Sequence, residues 1–170
     1  MTKRRSVMVL LLAGLWFAWL QASFLFLLQT YFSASFQSYL LLVTAWIAGA
    51  LAGVWITPVS IAWLWLSSCC SSATLTTIWL AQLALPLELT WCLLYICALP
   101  AGKLFRSQVG EWRNSGDMFF WEALGFTAGL PLATLFLMKL GTVFCKVAIF
   151  PGSLLFFLTM KKGDPDVSAR

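Results

Sequence analysis

Among the charged side chains of this chain, Glu122 and Lys146 stand out inside apolar runs. A charge held at mid-bilayer costs about 2.5–3.5 kcal/mol on an insertion scale, and less near an interface, so its presence points to function or to a local partner. The sharp reading is a transport or proton-relay role. The bland reading is snorkelling, or pairing with a nearby side chain: Arg106 or Arg113 could reach Glu122. Pairing of Glu122 with Lys146 is opposed by depth. The two lie near opposite ends of consecutive antiparallel spans, about 15–20 Å apart along the membrane normal at about 1.5 Å per residue. Gln21, Gln29 and Gln82 add uncharged polar groups, expected to hydrogen-bond between helices.

Other chemistry is poorly supplied. The chain has no histidine, which removes the commonest general base and imidazole ligation of haem, zinc or copper. The five cysteines, Cys69, Cys70, Cys92, Cys97 and Cys145, form no C-x-x-C pair and all sit in apolar segments. They read as small apolar packing groups; a palmitoylated Cys69-Cys70 pair would need an interfacial position. Single acids far apart make no hydrolytic site. No catalytic residue, metal ligand or cofactor is expected.

These residues must be positioned by membrane helices. The composition is 61% hydrophobic and 10% charged, where a soluble domain carries about 25% charge; the mean hydropathy is +0.89. Ten Trp and fourteen Phe suit interfacial aromatic belts. The net charge of +5 comes from short clusters at helix ends and predicts no nucleic-acid partner. After the basic Met1–Arg5, six apolar spans are expected: Ser6–Leu28, Tyr39–Ile56, Val59–Ala81, Glu88–Phe105, Met118–Met138 and Thr142–Met160. Each is near the length that crosses a bilayer. The first resembles a signal peptide at its start, but its apolar run continues through Phe24–Leu28, so it is expected to be retained. The third contains Ser67-Ser68-Cys69-Cys70-Ser71-Ser72, which admits a loop or a continuous helix; hydroxyls can bond to the preceding turn, so the helix is preferred. Thr57-Pro58 and Pro86 punctuate the chain between spans. Pro131 and Pro151-Gly152 fall inside the fifth and sixth, where proline interrupts a helix.

With six spans, Lys3, Arg4, Arg5, Lys103, Arg106, Arg113, Lys161, Lys162 and Arg170 share one side, and only Lys139 and Lys146 belong to the other. Nine against two orients the bundle with both termini cytoplasmic. The expected class is thus an all-α polytopic bundle, residues 1–160, with a polar cytoplasmic tail at 161–170, in the cell's inner (cytoplasmic) membrane.

Small residues recur at four-residue spacing: Ala45, Gly49 and Gly53 in the second span, Gly125 and Gly129 in the fifth. Such stripes let helix backbones approach closely. They serve packing within the chain or a seam for another one.

The stretch Ala98-Leu99-Pro100-Ala101-Gly102-Lys103-Leu104-Phe105-Arg106, a short polar loop, and Phe119-Phe120-Trp121-Glu122-Ala123-Leu124-Gly125-Phe126-Thr127-Ala128-Gly129 resembles the membrane domain of fused, multi-spanning spermidine synthase-like proteins. Gly49 and Gly53 fit their small-residue second helix, whereas Gln21 stands where members often carry an acid. The resemblance implies the bundle and its topology. In that family a soluble domain after the last span performs aminopropyl transfer. Only Lys161–Arg170 follow here, so the expectation is the fold without the activity. The expected function is a non-catalytic integral subunit that anchors, seals or orients other membrane subunits, with electron-transfer or energy-converting complexes as the class in view, together with membrane lipids. The alternatives are a small transporter or lipid-binding protein with a cavity among kinked helices, or a membrane module for a separately encoded aminopropyltransferase.

Overall fold

The computed structural model describes residues 3–32, 36–56, 59–83, 85–109 and 115–147. Among them every element is a helix: α1 (Lys3–Phe32), α2 (Phe36–Trp55), α3 (Ile61–Leu80), α4 (Leu87–Val109), α5 (Ser115–Leu140) and α6 (Thr142–Val147). The first five are long and apolar enough to cross a membrane, and by that measure the chain is an all-helical, multi-pass membrane protein. Their ends fall within four residues of the expected boundaries. The helix α6 starts where the sixth span was expected; residues 148–160, including Pro151-Gly152, and the tail 161–170 lie outside the described residues.

The serine run of α3 is helical throughout. The Ser67 hydroxyl donates to Leu64 O at 2.9 Å and Ser72 Oγ to Ser68 O at 2.7 Å. In lipid these hydroxyls have no water to turn to, so bonding back to the helix satisfies them without ending it. At its start, Ser60 caps the helix by accepting from the Trp63 N–H. At its end, Gln82 takes φ +57°. Its N–H bonds Trp79 O at 3.0 Å while Leu83 N–H bonds Ile78 O at 3.1 Å, the paired closure that satisfies the last carbonyls of a helix. Gln82 is therefore an exposed turn residue, which corrects its expected place between helices.

The prolines do not break the helices described. Both α4 and α5 run unbroken through Pro100 and Pro131. A membrane helix tolerates the missing N–H because local adjustment and neighbouring chain meet the freed carbonyl. The expected interruption at Pro131 is thus a continuous helix, and the chain reverses instead at Gly141, which adopts φ +53° with its N–H on Leu137 O at 2.8 Å.

The helices form an inner and an outer set. The spans of α1 and α4 are the most buried, over about half of their residues, whereas that of α5 is the most exposed. The centre is aromatic: Trp65 of α3 lies 5.1 Å from Trp16 and 5.8 Å from Phe17 of α1, and Phe17 meets Trp46 of α2 edge-on at 5.7 Å. Each ring buries a large area in a fixed geometry, so this cluster ties three helices together.

Candidate functional site

In a bilayer, apolar burial gives helices no preference for each other over lipid tails, so close packing must hold them. Two seams do so. In the first, α1 runs alongside α5. A methyl group on Gly14 would overlap Glu122 O, one on Gly125 would overlap Leu11 O, and one on Gly129 would meet Ala18 Cβ at 2.8 Å and Leu15 Cα at 3.1 Å. Ala133 continues the line, buried beside Trp19 and Ala22. In the second seam, α2 runs alongside α4. Gly49 faces Tyr95 O and Ala98, Gly53 faces Leu99 O and Lys103 N, and Gly102 faces Ala50 O and Val54 N. Numbers rise together on both partners in both seams, so each pair is parallel. Backbone is against backbone, a distance only glycine permits. Ala45 is fully buried in the main core.

The sequence reading singled out one partner of each seam and missed the other. Gly14-x-x-x-Ala18 and Ala98-x-x-x-Gly102 carry the same spacing as the glycines it named. The signal was present, but a single pair of small residues is too common to stand out without its partner.

The α2–α4 seam ends in two cations. Lys103, 5% exposed, donates from Nζ to Ile56 O at 3.2 Å. One turn further along α4, Arg106 donates from its guanidinium to Val54 O at 2.9 Å. These are carbonyls at and just beyond the C-terminal end of α2, where helical partners run out and the dipole is negative. Sequence reading treated both residues as topology markers; their capping role requires α2 and α4 to be neighbours, which spacing alone does not reveal.

The inner helices are stitched by polar groups. Ser68 Oγ of α3 donates to Cys97 O of α4 at 2.8 Å, and Cys97 Sγ returns a weak bond to Ser68 O at 3.7 Å. Among the described residues Trp19 Nε1, Trp65 Nε1, Trp79 Nε1 and Thr90 Oγ1 are buried without a hydrogen-bond partner. All four belong to α1, α3 or α4.

The polar residues singled out from sequence are kept apart. Glu122 is half-buried on α5 at the level of Gly14. Arg106, proposed as its partner, bonds α2 instead, and Arg113 lies outside the described residues. Lys146 is exposed on α6. Its neighbour Cys145 sits beside Ser23 of α1. With α1 as a ruler, Gly14 to Ser23 is about 14 Å at about 1.5 Å per residue. Gln21 is half-buried on α1, and Gln29 is exposed near that helix's end. Among the described residues no three His, Cys, Asp or Glu side chains gather as a metal site would require.

No family model, no curated protein and no solved structure matches the chain.

Proposed function

We propose that this chain is a non-catalytic integral subunit, spanning the cytoplasmic membrane six times with both termini inside, that anchors or orients other subunits of a membrane complex. One observation supports the reading above the others: α5. Among the described residues it packs closely on α1 alone, touches α4 and α6 lightly, and turns Phe119, Phe120, Leu124, Leu130, Leu132 and Leu135 outward. A helix held along one glycine stripe presents most of its circumference for a second partner. Exposed small residues, Ala123, Thr127 and Ala128, interrupt that surface and would let another helix approach. Lys3, Arg4 and Arg5 at the start of α1 and Lys103 and Arg106 near the end of α4 support the orientation.

The second reading, a small transporter or lipid-binding protein, is favoured by the four buried polar groups of α1, α3 and α4 that have no partner among the described residues. Purification from native membranes in mild detergent separates the two. The subunit reading expects other integral membrane chains in stoichiometric amount. A chain that runs alone as a stable monomer would sink it, and flux through vesicles carrying that monomer would establish the transporter. Co-purification with a soluble aminopropyltransferase would instead make the chain that enzyme's membrane module.

A further inference from the structure

We infer that the outward face of α5 pairs with the same face of a second copy of this chain, in a two-fold dimer centred on Thr127; the inference rests on α5 being a docking helix and names its occupant. Gly125 and Gly129 put one side of α5 against α1. On the other side Phe120, Ala123, Thr127, Leu130, Thr134 and Met138 are all exposed. Residues three or four apart share one face of a helix, so these six make a continuous surface along the span.

That surface carries a donor and an acceptor at one residue. The exposed threonines Thr30, Thr44, Thr74 and Thr134 return their hydroxyls to the carbonyl four residues back, at 2.8–3.0 Å. Among the described residues the Thr127 hydroxyl makes no such bond. Thr77 makes none either, but it stands in the last turn of α3, close to the interface. Thr127 is at the middle of the span Gly116–Leu140. Its carbonyl is also short of a donor, because Pro131, four residues on, has no N–H to give it. Pro131 is exposed too, so the gap in the ladder opens on the outward side. In hydrocarbon no water meets either group.

Complementarity selects a second copy as the occupant. Two copies in one membrane share an orientation, so their α5 helices meet parallel, as the helices of both seams do. A two-fold axis along the membrane normal sets each residue against itself. Each Thr127 hydroxyl then donates to the carbonyl of Thr127 in the other copy, and one contact satisfies all four groups. Ala123, one turn away, lets the backbones approach closely. A helix of another protein would need its own donor and its own acceptor at this single level.

Disulfide cross-linking in native membranes tests this. Oxidation of Ala123→Cys should give a product of twice the chain mass, above the background set by the exposed Cys70 and Cys92 of the wild-type chain. Leu51→Cys, exposed on α2, should not rise above that background. Equal dimer from both variants overturns the localisation. An adduct with a different protein overturns the second copy and leaves α5 a docking helix. No adduct overturns the dimer, and a chain that also purifies as a monomer overturns the docking helix with it. Thr127→Val should raise the dissociation constant of the dimer in detergent about sevenfold, the effect of two interhelical hydrogen bonds of average strength, while Thr127→Ser should keep it. An unchanged dimer in Thr127→Val overturns the hydrogen-bonded centre.

Discussion

The α1–α5 and α2–α4 seams obey one rule and yet hold their helices differently. Each is a parallel pair in which glycines press on the partner's backbone. The α2–α4 pair has two further supports. Its end is closed by Lys103 and Arg106 on the α2 carbonyls, and α4 is also joined to α3 through Ser68 and Cys97. Among the described residues the α5 helix has neither, and packing on α1 is the main contact that retains it. Close packing brings two membrane helices together, and directional polar contacts determine how firmly the pair is fixed. The less fixed helix is the one with an open outer face, which is why α5 carries the functional proposal.

The largest effect should come from filling the glycines. Gly102→Val places side-chain atoms on Ala50 O and Val54 N, which cannot move without shifting α2. It should cost about 3 kcal/mol, the upper part of the range for overpacking, and lower the thermal midpoint of the whole bundle in detergent. Gly125→Val meets Leu11 backbone but should release α5 while the remaining helices stay folded. Cysteines placed on facing positions of α5 and α1 would then lose cross-linking, with the main unfolding transition kept. Equal loss of the main transition in both variants would erase the distinction between the seams.

A smaller effect is expected at the cation lock. Lys103→Met keeps the length of the side chain and leaves the Ile56 carbonyl without that donor. An unsatisfied buried group costs about 1–3 kcal/mol, so stability should fall within that range while the α1–α5 cross-link is untouched. The smallest is Ser68→Ala, which removes the 2.8 Å bond to Cys97 O. Interhelical hydrogen bonds in membranes contribute about 0.6 kcal/mol on average, and denaturant unfolding should report a loss of that order. A loss as large as that of Lys103→Met would move the main lock of α4 from α2 to α3.

Much of the fold was legible in advance because a bilayer imposes a simple constraint. A run of about 20 apolar residues must be helical to satisfy its own backbone, so the five spans described and the start of α6 could be placed to within four residues. The hydroxyls of Ser67 and Ser72 left the α3 helix intact for the same reason. Less legible was what each proline would do. Pro100 and Pro131 sit in unbroken helices, since the surroundings that absorb a missing bond are not written in the local sequence. The site was legible by half. Gly49, Gly53, Gly125 and Gly129 stood out by spacing, whereas Gly14 and Gly102 needed their partners to be noticed.

Length, hydropathy and charge by themselves determined that this is a helical membrane protein, because those properties act residue by residue on transfer into lipid. Which helices touch was decided only by the tertiary structure. Helix pairing in lipid depends on surface shape at contact distance, and several stripes in this chain have the same small-residue spacing. Only the assembled bundle shows that α1 takes α5 while α2 takes α4. Only there do Lys103 and Arg106 change from markers of orientation into the cap of another helix. A cation caps a helix once the carbonyls lie within about 3 Å of it, and here those carbonyls are about 50 residues away in the chain.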